Sequence, residues 1–260
     1  MRLAPHAAKQ WQPQCFGDGR YTPLPYPPFV THPAEPMGMH LNYELRLPAQ
    51  TTPIAVRDTL STLHQFAGTQ PFAYVSPMIQ AADTDDVSAP RRESLQFYAR
   101  ALATPYDEDV PPLTGNPDSA IGFLVNPGQG CETAAFALLQ RHDADGTPAE
   151  WFWHCCCKTQ YASVVSDAHL IACHTSLTNV LDHAIHLGFG VIVRDEGHYW
   201  ETRDTARLLS EVAYMNKLVA QFAGAFSDAV SKQDLAQDVK MDAPIFDHPR
   251  FERLEMGDED

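Results

Sequence analysis

Positive charge is scarce in this chain: 18 Lys and Arg stand against 33 Asp and Glu, a formal net charge of −15. A nucleic-acid binder needs a basic stripe to displace counterions from phosphates, and none is present, so nucleic acid is not an expected partner. The acidic excess reads as solubility. Long apolar runs are missing too. None approaches the ~20 residues that span a bilayer, so no membrane partner is expected. The start, Met1-Arg-Leu-Ala-Pro-His6, lacks the basic-then-apolar pattern of a secretory leader. The expected compartment is therefore the reducing cytoplasm, where the 6 cysteines read as free thiols. Among those cysteines and the 12 histidines no Cys-x-x-Cys or His-x-x-x-His spacing occurs. A closed structural zinc site usually needs such spacing, so no metal or other cofactor is expected. Cys157, Cys173 and His174 remain the residues that could meet around an ion. No internal repeat is visible.

What is present is unevenly spread. Residues 1–36 hold 8 of the 21 prolines, which favours an extended arm over a helix. Its aromatics, Trp11, Phe16, Tyr21, Tyr26 and Phe29, are more than a disordered tail usually carries. A single α+β domain is expected over 37–230, and a peripheral acidic tail over 231–260. Within the domain, Leu41, Tyr43, Leu45 and Leu47 alternate with polar residues, the pattern of a half-buried strand. Pro53 opens a helix to about Ala67, with Ile54, Leu60 and Leu63 inward and Gly68 past its end. Strands are expected at Phe72–Met78, Leu95–Ala101 and Ile121–Val125. Loops are expected at 81–92 and 104–118.

Segment 133–142 has helix-forming composition, yet Asp143-Ala-Asp-Gly146 is a turn signal. A β-hairpin of 133–142 with 150–160 follows. Ser166 or Asp167 can cap a helix to about Leu187, closed by Gly188. Its apolar stripe includes Leu170, Cys173, Leu177, Val180, Leu181 and Ala184, with His174 inside it and His183 and His186 on the opposite, solvated face. A strand at Phe189–Val193 leads to a second long helix, capped by Asp204 and running to about Val230. Its expected stripe is Leu208, Val212, Met215, Val219, Phe222 and Phe226. Strands outnumber helices and several adjacent ones lack a crossover helix. That favours a largely antiparallel sheet with helices on one face.

Cys, His, acids and aromatics concentrate between Trp151 and Arg203. Cys157-Lys-Thr-Gln-Tyr161, read as strand, places Cys157 and Tyr161 on one face and Lys158 and Gln160 on the other. A lysine beside a thiol can favour thiolate. Asp195 to Arg203 bunches polar groups after a buried strand, where function is often placed. A third candidate is Asn126-Pro-Gly-Gln-Gly-Cys131. With Cys131 at a helix start, and His154 or His174 as base and Asp195 as orienter, it would suit a Cys-His-Asp hydrolase.

The segments Cys157-Lys-Thr-Gln-Tyr-Ala-Ser163, Cys173-His174 and Asp195-Glu-Gly-His-Tyr-Trp-Glu-Thr-Arg-Asp204 resemble a bacterial protein family with no assigned activity. The resemblance covers roughly the last half of the chain and implies no role for any residue.

Two functions remain. One is a hydrolase- or transferase-like enzyme on a small polar or peptide-like substrate. Cys157, Lys158, Tyr161, His174, Asp195 and Glu196 would be its catalytic candidates, and Gln160, His198, Tyr199, Trp200, Glu201 and Arg203 would line its substrate site. The other is a non-catalytic binding or homo-oligomeric assembly module using Tyr199, Trp200 and the aromatic arm.

Overall fold

Alternation sets the centre of the fold. In strand β1 (His40–Pro48), Leu41, Tyr43, Leu45 and Leu47 are buried while Asn42, Glu44 and Arg46 are only partly so. The computed structural model describes residues 39–82, 89–103, 114–143 and 145–232. The expected arm, most of the expected tail and residues 104–113 of an expected loop lie outside these. β1 pairs antiparallel with β7 (Pro148–Lys158), and the register sets Leu41 opposite Cys157, Tyr43 opposite Cys155, and Leu45 opposite Trp153. Side chains facing one another across a ladder share a sheet face. Trp151, Trp153, Cys155 and Cys157 are therefore core residues. On β1's other edge lies β8 (Gly190–Asp195), again antiparallel.

The remaining strands are β2 (Tyr74–Val75), β3 (Ile79–Gln80), β4 (Thr114–Gly115), β5 (Ile121–Asn126) and β6 (Ala134–His142). The sheet order is β2-β5-β6-β7-β1-β8, with β3 on β5 and β4 on β6. Every pairing is antiparallel, so the fold is α+β as the pattern implied. The expected hairpin is β6–β7. Its ladder covers only Leu139–His142 of β6; toward Ala134 the strand pairs with β5 instead. Side chains take over the backbone groups that β7 leaves there. Tyr43 donates its hydroxyl to Ala135 O at 2.9 Å, and Cys155 Sγ accepts from Ala135 N at 3.4 Å. Cys157 Sγ donates to Glu132 O at 3.3 Å.

Helix α1 (Pro53–Ala67) starts with Thr52 accepting from Ala55 N, and Pro53 fits its first turn. Its buried line is Val56, Leu60, Leu63 and Ala67; Ile54 is 75% exposed, contrary to expectation. Helix α2 (Ala89–Ala103) replaces the strand expected at Leu95–Ala101 and the loop expected up to residue 92. Leu95 and Ala99, one helical turn apart, are its core contacts. The strand expected at Phe72–Met78 shrinks to the two residues of β2.

Helix α3 (Asp167–His186) is capped by Ser166, whose side chain accepts from His169 N, and Gly188 follows its end at φ +90°. The helix buries Leu170, Cys173, His174, Leu177, Val180, Leu181 and Ala184. His183 is not free on a solvated face: its ring stacks on Phe66 at 4.0 Å. A short helix α4 (Tyr199–Thr202) precedes α5 (Thr205–Lys232), where Asp204 Oδ1 accepts from Ala206 N at 2.8 Å. The buried line of α5 is Leu208, Val212, Asn216 and Ala220; Met215 and Val219 are half-buried, and the side chains of Phe222 and Phe226 lie outside the description.

Candidate functional site

Asp195 is the last residue of β8, two and four positions past Val193 and Val191. Period-2 alternation turns its carboxylate toward the core face. His174 reaches it from α3: Nε2 lies 3.0 Å from Asp195 Oδ2. On the other side of the imidazole, Thr159 Oγ1 lies 2.9 Å from Nδ1. A carboxylate only accepts, so Nε2 carries the hydrogen toward Asp195, and in the neutral ring Nδ1 accepts from the Thr159 hydroxyl. Gly197 N and Trp200 N, each at 2.8 Å, donate to Asp195 Oδ1 and Oδ2. Burial pushes the Asp195 carboxyl up. The His174 hydrogen bond and charge, with these two N–H groups, outweigh it and hold the pKa below the ordinary value.

This hydroxyl–imidazole–carboxylate chain has the composition of a hydrolytic triad. It is, however, closed: Thr159 and His174 are 0% exposed and Asp195 3%. Its groups satisfy one another, and it fastens the ends of β7 and β8 to α3. The predicted meeting of His174 and Asp195 is present, as a buried clamp.

The other expected site residues are divided. β7 ends at Lys158, and Gln160–Val164 form a 3₁₀ turn rather than continuing the strand. Gln160 is thereby buried, accepting from Met39 N at 2.9 Å and donating to Asn216 Oδ1 at 2.7 Å. Lys158 Nζ sits 5.1 Å over the Tyr161 ring. Burial, then the nearby Glu132 charge, push the Tyr161 hydroxyl up. Glu196 accepts from His40 N at 2.7 Å. Burial raises its pKa, but its His40 bonds and charge prevail and leave it below the ordinary value.

His198 and Arg203 bracket α4 with left-handed φ of 54° and 56°. Arg203 stacks 4.5 Å over Trp200 and 5.9 Å over Tyr199, and donates to Asp182 Oδ1 at 2.8 Å. Glu201 is exposed on the same turn. Cys155 and Cys157 are core thiols pushed up by burial, and burial pushes half-buried Cys156 up to about 12 against the lowering charge of Lys158.

A second cluster forms where the Gly-rich loop after β5 docks on α3. Gly128 lies against the helix: a Cβ there would come within 2.7 Å of both Cys173 Sγ and His169 Cε1. Gly130, at φ +80°, is held against the Tyr161 carbonyl. The loop's carbonyls are taken by the helix. Cys173 Sγ donates to Pro127 O at 3.4 Å, and His169 Nε2 donates to Gln129 O at 3.0 Å. The same Nε2 is 3.6 Å from Cys173 Sγ. Half-buried Cys131 packs in the same cluster. The Cys131 thiol nearby, then the His169 charge, lowers the Cys173 pKa against burial. The Cys173 sulfur and burial push Cys131 up.

Cys131 is followed by β6, not by a helix, and His174 is turned to Thr159 and Asp195. His169 was missed, although His169 and Cys173 stand four apart on one helix face, where side chains meet. Among the described residues no three His, Cys, Asp or Glu side chains converge as a metal ligand set, so Cys157, Cys173 and His174 do not form one. Among them, too, no helix is long and apolar enough to cross a membrane. Comparison with protein-family models, curated proteins and solved structures finds no match.

Proposed function

We propose that the protein is an enzyme that uses Cys173 as a nucleophile toward a small polar or peptide-like substrate. The observation that carries this reading is the placing of Cys173 Sγ 3.6 Å from His169 Nε2 beneath a glycine-rich loop. An Nε2–H shared between Gln129 O and the sulfur stabilises thiolate. The Cys173 proton would be lost to solvent, and Sγ would form a bond to an electrophilic centre as the bond to the leaving group breaks. The leaving group would take a proton from solvent while His169 keeps its Nε2–H.

Access is linked to the thiol's own ionisation. The loop is held over the sulfur partly by the Cys173 S–H bond to Pro127 O. Loss of that proton removes the bond and turns the sulfur into an acceptor facing a carbonyl, which favours loop opening. The Thr159–His174–Asp195 clamp supports this arrangement by fixing the α3 turn that carries Cys173. The aim of the clamp is position, and no substrate contact is assigned to it.

The test is brief iodoacetamide treatment of the folded protein at neutral pH, followed by peptide mapping. Cys173 is expected to label at least ~10-fold faster than Cys155, Cys156 and Cys157, as a lowered pKa implies. Uniformly slow labelling of all of them contradicts the nucleophile.

A further inference from the structure

The two edges of the sheet differ. One is β2, only 2 residues long. The other is β8, 6 residues long, which pairs with β1 along one side in an unbroken register. Edge strands are usually blunted by shortness, lysine, proline or a bulge, because their unpaired backbone groups recruit another strand. β8 lacks these devices: Gly190-Val-Ile-Val193 carries neither charge nor proline.

The register decides which backbone groups face the open side. Glu196 N donates to His40 O, directly opposite, at 3.1 Å. In an antiparallel ladder, opposed residues alternate between pairs that exchange hydrogen bonds and pairs that do not. Gly190, Ile192 and Arg194 therefore turn their N–H and C=O groups to β1, while Val191, Val193 and Asp195 turn theirs outward. Asp195 O is held by His198 N at 3.0 Å. Among the described residues none takes the outward groups of Val191 or Val193. The side chains of these two valines are partly buried and pack on the rim of the main core. Ile192, also partly buried, lies on the other face of the sheet, opposite Glu44.

We propose that β8 is the surface through which two copies of this chain associate, its strands pairing antiparallel about a twofold axis at Ile192. In that register Val191 of each copy faces Val193 of the other, and both pairs exchange hydrogen bonds. Every outward group of the two valines is then satisfied by its own counterpart, as a twofold interface requires. Ile192 of one copy stands beside Ile192 of the other. Gly190 stands opposite Arg194, so no like charges oppose one another. The valine side chains continue the core across the axis. An axis at Val193 would call on Asp195 O, and one at Val191 on Phe189 N; His198 N and Ala184 O already hold these. A free peptide is a poorer occupant. It would have to be ordered for a ladder that only two residues of β8 can supply, whereas β8 of a second copy is already ordered.

The experiment measures the mass of the full chain by sedimentation and light scattering over a dilution series. The wild type is expected at twice the chain mass of 28.9 kDa. Val193→Pro removes an outward N–H that β1 does not use, a place where an edge strand tolerates proline. Ile192→Lys sets two like charges at the axis. Each is expected to raise the dimer Kd at least ~10-fold while circular dichroism stays that of the wild type. Mild oxidation of Ile192→Cys is expected to give a covalent dimer linked through position 192, since opposed Cβ atoms lie about 4.5–5.5 Å apart. Arg194→Cys, facing Gly190, should not link to itself. A wild type that keeps the single-chain mass throughout the series overturns the interface. A dimer unchanged by both substitutions, or Ile192→Cys with no link through position 192, overturns it as well. If Val193→Pro and Ile192→Lys fail to fold, the crosslink decides.

Discussion

His174 Nε2 lies 3.0 Å from Asp195 Oδ2, and neither side chain reaches solvent. The pair joins the middle of α3 to the end of β8, and Thr159 extends it to the end of β7. Removing one partner of such a pair leaves an uncompensated buried charge. His174→Ala is therefore expected to cost about 3–5 kcal/mol of folding stability. Thr159→Val leaves only an unsatisfied ring nitrogen and should cost less, about 1–3 kcal/mol. Urea unfolding of both variants measures this; losses below about 0.5 kcal/mol in both would deny the clamp a structural role.

The same carboxylate fixes an acid limb. The folded Asp195 pKa is depressed, so its contribution is fully present above the unfolded value of ~3.9. It is lost as pH falls through the lower folded value. Glu196, also depressed, acts with the same sign. Urea midpoints across the acid range should fall with pH in the wild type and fall less steeply in Asp195→Asn, after allowing for that variant's lower starting stability. Equal slopes would place the acid limb elsewhere.

His198 holds a left-handed conformation while its side chain is exposed. A non-glycine residue there costs about 1–2 kcal/mol. His198→Gly should recover roughly 0.5–1 kcal/mol, discounted for glycine's greater unfolded freedom. Arg203, equally left-handed, is different because its guanidinium stacks on Trp200 and pairs with Asp182. Arg203→Gly should gain less than His198→Gly or lose stability. Thermal melts of the two variants decide; a larger gain at Arg203 would mean that its contacts contribute little.

Gly130 is constrained twice, by φ +80° and by its approach to the Tyr161 carbonyl. Gly130→Ala is expected to cost about 1–3 kcal/mol locally. It should loosen the loop and speed alkylation of Cys173 more than it lowers global stability. Labelling at an unchanged rate would show that the loop does not cover the thiol.

Much of this architecture is legible in alternation. Leu41 to Leu47 and Val191, Val193 and Asp195 obey one parity, and that parity alone turns Asp195 inward toward a histidine on an apolar helix stripe. Leu95, Phe97, Ala99 and Ala101 misled for a related reason: a period of two contains a period of four, and Leu95 with Ala99 serves a helix equally well. Ile54 fails because the true stripe of α1 starts at Val56. The Cys131–Cys173–His169 cluster needed more than pattern. His169 and Cys173 share a visible helical spacing, but Cys131 joins them only when the loop after β5 folds onto α3. In the cysteine run of β7, Cys155 and Cys157 serve backbone groups where the β6–β7 ladder stops.

The central claim is that Cys173 is an activated thiol, and the pH dependence of its alkylation rate tests it most directly. The rate should rise through an inflection below the ordinary thiol value of ~8.5. That inflection should move upward in His169→Ala, which loses the Nε2–H facing the sulfur, and in Cys131→Ala, which removes the neighbouring thiol. An inflection at or above the ordinary value in the wild type, unmoved by either substitution, would contradict the account.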